Sequence, residues 1–342
     1  MARPQRLLAN IPLGPPLHDV GPASPPTDVH AFSQCFLPIA PENALSTAVL
    51  PTPNDLRCVR RILAQCGLPA ELVFLILHEA AYYAGVCSTL RDWDPAPYES
   101  EDNDEDNADG SDEEGDTSYD ASNSSGSEHG SDSTPVLKLD CVEPGGSCAA
   151  RLCMLTSPLP HGAPGETWRA RAVVWDVEGH DQGWGGERPA DPGRSAPQGT
   201  FDGAFSWYEA TIIRPTSTAD AASDHPGHAL ASCWGTLNQP YCDTETARPL
   251  LAALGYTFVE AGGDSGPAWF VQRNRVARED FARHHVEWSI DDAVLPPGSG
   301  AGAGFLEALR PGDVVALWMR AMYPGWGNYL RAASLKVLYD VY

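Results

Sequence analysis

The chain has 342 residues, 42% of them hydrophobic, enough for a sizeable core and for one large domain or two ordinary ones. Acidic residues outnumber Lys and Arg by 46 to 22, and the net charge of −24 excludes recognition of nucleic acid or anionic lipid through a broad basic surface. The excess is concentrated: residues 99–132 hold 14 acids and no Lys or Arg.

Residues 1–53 contain 11 of the 31 prolines. Proline fixes φ and removes a donor, so a disordered leader is expected, with FSQCFLPIA (32–40) as its one apolar cluster. Its opening, MARPQRLLANIPLGPP, has an apolar stretch of about five residues before proline, too short for a signal peptide, and no run in the chain approaches the roughly 18 apolar residues of a membrane span. The nine cysteines, an odd number, are then expected as free thiols in a cytoplasmic or nuclear protein. Cys148 and Cys153 have a C-x4-C spacing, but no second pair follows at zinc-site spacing, so no metal and no cofactor is expected.

Residues 54–93 read as a helical hairpin. Asn54 or Asp55 caps a helix with Leu56, Val59, Ile62, Leu63 and Cys66 on one face, and Gly67 stands where a terminating glycine belongs. Leu68-Pro69 opens a second helix with Leu72, Val73, Leu75, Ile76, Leu77, Ala80 and Tyr83. That set is too apolar for a free amphipathic helix and predicts burial against the first helix and one further surface. Residues 94–135 carry too few apolar groups to offset chain entropy and predict a disordered acidic insertion. Within it Ser111, followed by Asp112, Glu113 and Glu114, and Ser125, with Glu128 at +3, suit an acidophilic kinase of the casein kinase II type.

From residue 136 to 342 short β-like runs follow one another: 136–142, 151–157, 169–177, 205–213, 229–235, 268–274, 285–290, 313–323 and 333–342. Turn-rich stretches separate them, with one short helix expected at 244–254 before Gly255. The absence of regular βα alternation predicts a mainly β fold, an antiparallel β-sandwich of jelly-roll type. Nine of the ten tryptophans follow residue 150. Trp175, Trp207, Trp288 and Trp318 lie inside strands and are expected in the core, whereas Trp184 and Trp326 stand in the glycine-flanked segments DQGWGGE and YPGWGNY, where an indole serves as a ligand platform or plugs the sandwich end.

No G-x-S-x-G, P-loop, H-E-x-x-H or dinucleotide fingerprint is present, and no catalytic residue is assigned. GAGAGF (300–305) reads as a flexible turn. Polar candidates for ligand contact are Asp176 and Asp181 in WDVEGHDQGWGG, Arg273 and Asn274 after WFVQ, Asn328 after PGWG, and Arg320. Arg320, inside the apolar run VVALWMRAMY, faces solvent, pairs with a carboxylate such as Asp176 or Glu209, or holds a ligand. Lysine is almost absent, Lys138 and Lys336 against 20 arginines, which fits either a GC-rich genome or selection against ubiquitin-acceptor lysines.

The motifs DQGW (181–184), FSWYEA (205–210), WFVQRN (269–274), GFLEALRPGD (304–313) and PGWGNY (324–329), with the upstream GLPAELVFLILHEAAYYA (67–84), resemble a family of largely uncharacterised fungal proteins. That resemblance implies a β-sandwich with no settled activity. LPAELVFLIL also resembles the opening of an F-box, which implies docking of Leu68, Pro69, Leu72 and Ile76 on a Skp1-like adaptor of a ubiquitin ligase. The helical hairpin alternatively only caps the sandwich. Function is expected to be that of a non-catalytic intracellular binding or adaptor protein whose sandwich recognises a ligand, a protein or a glycan, through Trp184, Trp326 and nearby polar groups. The alternatives are a glycan-binding or glycan-active jelly roll, an F-box-like substrate receptor, and a scaffold whose acidic segment holds basic partners. Nucleic acid and membrane are not expected as partners.

Overall fold

The computed structural model describes residues 50–90, 136–141, 148–184, 198–217, 228–262, 266–291 and 294–342. The leader through residue 49, with its apolar cluster, and the acidic segment 94–135, with Ser111 and Ser125, lie outside the described residues.

Helix α1 (Pro53–Gln65) starts slightly earlier than expected, because the cap is Thr52 and not Asn54 or Asp55. Thr52 Oγ1 accepts from the Asp55 backbone N–H at 3.2 Å, and Asp55 Oδ2 accepts from that of Thr52 at 2.8 Å. This reciprocal box satisfies two of the helix's orphan donors. Gly67, at φ 83°, ends the helix, with Leu68 N–H donating to the Leu63 carbonyl and Gly67 N–H to that of Ala64, the glycine-terminated C-cap geometry. Helix α2 (Ala70–Glu79) follows. Leu56, Val73 and Leu77 form a small core between the two helices.

The expected burial of α2 on two sides is not met. Leu72, Phe74, Leu75 and Ile76 are 39–50% exposed. The physical reason is the exit: Ala81 adopts φ 47°, and the chain turns directly into strand β1 (Ala84–Thr89), so α2 covers no second layer. The hairpin is nevertheless fixed to the sandwich. Arg57 grips Glu166 through two 2.7 Å hydrogen bonds, and Phe74 meets Tyr342 edge-on.

The remaining strands are β2 (Leu137–Asp140), β3 (Cys148–Leu155), β4 (Trp168–Asp181), β5 (Ser206–Pro215), β6 (Tyr256–Phe258), β7 (Ala268–Arg273), β8 (Ala282–Ser289), β9 (Val314–Met322) and β10 (Gly327–Val341). They form two antiparallel five-stranded sheets. In the first, β1 and β2 pair end to end along one edge of β10, followed by β4 and β8. In the second, the order is β3, β9, β5, with β6 and β7 sharing the far edge of β5. The pairs β2·β10, β3·β9, β4·β8 and β5·β7 are nested like the two arms of one long hairpin. Rolling that ribbon up adds β10·β4 and β9·β5, which is a jelly roll. Residues 84–89, expected with the hairpin, are therefore a strand of the first sheet, and the sandwich extends upstream of residue 136.

Trp175, Trp269, Trp288 and Phe305 make the aromatic centre between the sheets, with ring centroids 5.0–6.2 Å apart. Phe305 opens the short helix α6 (Phe305–Ala308). The GAGAGF segment before it is held in place rather than free, because Trp288 Nε1 donates to the Gly300 carbonyl and Trp269 Nε1 to that of Ala303. Glycine at 302 lets the backbone cross the Trp288 indole face.

The second sheet is covered on its outer face too. Helices α3 (His228–Ser232), α4 (Trp234–Leu237) and α5 (Arg248–Ala253) pack Leu230, Leu237, Ala247 and Leu251 on Trp318, Ala316 and Leu152. This explains why β9 is apolar on both faces. Residues 229–235, expected as a strand, are helical. Leu230, Cys233, Trp234 and Leu237 recur at helical spacing and face that cluster. The helix expected at 244–254 is a 3₁₀ turn followed by α5, closed by Gly255 at φ 82°. No described helix is long and apolar enough to cross a membrane.

Candidate ligand-binding end of the sandwich

The strand ends of β4, β7 and β9 and the strand starts of β5, β8 and β10 meet at one end of the jelly roll. Three of the polar side chains completely buried there are Asp181, Asn274 and Asn328. Asp181, the last residue of β4, accepts the backbone N–H of Gly183 at 2.9 Å, Ala277 at 2.6 Å and Arg278 at 3.0 Å. Burial pushes its carboxyl up from the usual carboxylate range, and the three donors work against that shift. Asn274 donates to Ser206 Oγ at 3.0 Å and Asn328 Oδ1 at 2.9 Å, and Asn328 donates to the carbonyls of Trp207 and Arg320. These groups tie the β4, β7 and β9 exits to β5 and β10. None of the three reaches solvent, so Asp181, Asn274 and Asn328 position the loops and are not ligand contacts as expected.

The loops they fix carry aromatic side chains outward. Trp184 is 62% exposed. Its indole lies against the turn before β10, where a Cβ on Gly325 would come within 2.9 Å of the ring. Only glycine permits that approach, and Gly325 sits at φ 88°. Tyr323, in the same turn, is 46% exposed and adopts φ 67°, a backbone region costing a non-glycine residue about 1–2 kcal/mol. Phe205 meets Tyr323 and Trp326 edge-on at 4.7 and 5.2 Å, and Trp326 rests on Ala204, Val276 and Ala277. The two glycine-flanked tryptophans thus both adjoin the turn before β10, with Trp184 exposed and Trp326 half-buried. Tyr323 and Phe205 complete the rim. The only signal for Tyr323 in the sequence is its place before Pro-Gly.

Beside the rim lies an open groove of about 630 Å³ walled by Thr200, Phe201, Asp202, Phe270, Arg273 and the turn 297–299. Arg273 is exposed there and lies over the Phe270 ring. It is the one polar candidate of this end that reaches solvent.

Two expected site residues lie elsewhere. Asp176 is on the outer face of the first sheet, 3.0 Å from His285 and 3.5 Å from Arg283. Arg320 is on the opposite outer face, bonded to Glu209 at 2.6 Å and to Thr244, with its guanidinium over Trp207. Of the three roles open to Arg320, the carboxylate pair is the one it takes. Trp207 is accordingly half-buried outside the core, while Trp175, Trp288 and Trp318 are buried. Arg310 and Asp313, at the far end, form a turn clamped by the Arg214 fork. On α2, Leu72 and Ile76 are exposed, Pro69 is exposed, and Leu68 packs on the α1–α2 core. Burial drives the Cys153 thiol up to about 12, which makes it inert at neutral pH. Among the described residues no group of three His, Cys, Asp or Glu side chains is placed to hold a metal ion.

No protein-family model matches the chain, and no curated protein matches it.

Proposed function

We propose that this is a non-catalytic intracellular binding or adaptor protein that recognises a protein ligand with the loop end of its jelly roll. The rim carries this reading. Trp184 and Tyr323 remain exposed although a left-handed backbone and a close glycine contact hold them in place. Strain of that kind persists only where the surroundings over-determine it, as the buried Asp181, Asn274 and Asn328 do here. Aromatic groups already fixed lose little freedom on binding and suit the role of anchors. Quantitative affinity purification of the intact chain, run beside Trp184→Ala and Tyr323→Ala, tests it. Wild-type partners are expected to fall roughly tenfold with either variant. An unchanged partner set would remove the rim from this role. Glycan binding by the same surface is the alternative, since the Trp184 indole is exposed as a platform for a sugar ring; a glycan array read with wild type and Trp184→Ala separates the two.

A second reading concerns α2, whose exposed Leu72, Leu75 and Ile76 favour F-box-like docking to a Skp1-like adaptor. Purified Skp1 is expected to bind the intact chain and to lose binding to Leu72→Asp. Membership of the fungal family is likewise proposed, supported by the convergence of DQGW, WFVQRN and PGWGNY on this end through Asp181, Asn274 and Asn328.

A further inference from the structure

The groove beside the rim carries two exposed arginines side by side without a carboxylate partner. Eight described arginines hold a carboxylate: Arg57, Arg171, Arg214, Arg248, Arg278, Arg283, Arg320 and Arg331. Arg273 and Arg275 are among the described arginines that hold none, and they stand together at the groove. Both are exposed, and they flank the buried Asn274. Each guanidinium lies over a phenylalanine, Arg273 over Phe270 at 5.5 Å and Arg275 over Phe201 at 5.8 Å. Those two rings are walls of the groove. A guanidinium stacked on a ring keeps its donor edge free and loses less freedom when it takes a carboxylate.

A third group lies under the same wall. His284 is 8% exposed, its Nε2 has no hydrogen-bond partner, and the Phe201 ring stands edge-on to it at 5.9 Å. The groove thus has two phenylalanine walls, with an arginine over each ring and neither guanidinium within 4 Å of a carboxylate.

We propose that this groove binds an extended acidic segment of a partner protein, with an apolar or aromatic side chain between Phe201 and Phe270 and flanking carboxylates on Arg273 and Arg275. A nucleic-acid backbone fits less well. Its phosphates would continue past the two arginines into the field of a chain with net charge −24, whereas a short acidic segment engages charges within the Debye length of about 8 Å. Asp202 also lines the groove and disfavours long uninterrupted acidic runs, so alternation of acidic and apolar residues is the preferred pattern.

The groove and the rim are separable, and the test keeps them so. Fluorescein-labelled eight-residue peptides alternating Glu with Phe or Leu are titrated against the intact chain by anisotropy. Counterparts with every Glu replaced by Gln, and inorganic phosphate as competitor, are run alongside. The acidic peptides are expected to bind, to weaken with added salt, and to lose roughly tenfold or more in affinity with Arg273→Gln/Arg275→Gln. Trp184→Ala should leave that affinity unchanged. Arg273→Glu/Arg275→Glu should reverse the preference toward peptides carrying Lys in place of Glu. Thermal melts of each variant confirm that the fold is retained, and Phe270→Ala supplies a second readout through the apolar position. Equal binding of the Glu and Gln peptides, full competition by phosphate at the peptide's own affinity, or absence of binding by every acidic peptide would overturn the assignment.

Discussion

His284 faces the interior from β8 with its Nε2 unpartnered, and burial together with the nearby Arg275 holds its pKa down at about 4, against an ordinary 6.5. A group whose folded-state pKa is depressed binds protons more weakly than the unfolded chain does. Its contribution to stability is therefore complete above pH 6.5 and is lost as pH falls toward 4. The full shift corresponds to about 3 kcal/mol. Urea titrations are expected to show stability declining across that window, with the decline flattened in His284→Gln. Glu166, held down to about 2 beside the Arg57 fork, acts in a more acidic window, so the two effects are separable. Asn328 is a second residue with a large expected effect. Its replacement by Ala strips buried partners from Asn274, Trp207 and Arg320 and should cost roughly 3 kcal/mol. It should also loosen the rim, which ligand binding would report.

At the scale of elements, local rules explain most of what the sequence made legible. Alternation and turn residues expose eight of the ten strands because both are properties of a few neighbouring residues. β1 was hidden because AGVCST offers small side chains and one large apolar residue, and its strand state comes from pairing with β10. Residues 229–235 were misleading because a short apolar run does not by itself distinguish a period of two from one of 3.6. The site residues divide the same way. Trp184 declared itself through flanking glycines. Asp181, Asn274 and Asn328 looked like ligand groups because burial is a tertiary property that no spacing encodes. The φ of Tyr323 was likewise unreadable. For α1, the Thr52–Asp55 box makes a direct prediction: Thr52→Ala should lower stability by about 1 kcal/mol in a thermal melt without moving the sandwich.

For the whole molecule, the decisive feature is that the first strands pair with the last. β1 ends at Thr89 opposite Ser334, and β2 begins at Leu137 opposite Leu330, on the same edge of β10. The two anchoring points of residues 90–136 are thus four positions apart on one strand, about 13 Å at ordinary strand rise. A Gly-Ser linker of roughly eight residues spans that gap. Replacing residues 94–135 with such a linker is expected to change stability by about 1 kcal/mol, since closure cost varies slowly with length. Loss of cooperative unfolding in that variant would show that the segment supports the sheets.

β10 also has a temporal consequence. It supplies hydrogen-bonding partners to β1, β2 and β4 at once. During synthesis, those three earlier strands emerge from the ribosome with that partner still unmade, and no part of the first sheet beyond β4·β8 can assemble until residues 327–341 arrive. A nascent chain of this protein therefore presents open strand edges for most of its translation, a window in which a holding chaperone has more to protect than in a fold built from local pairs.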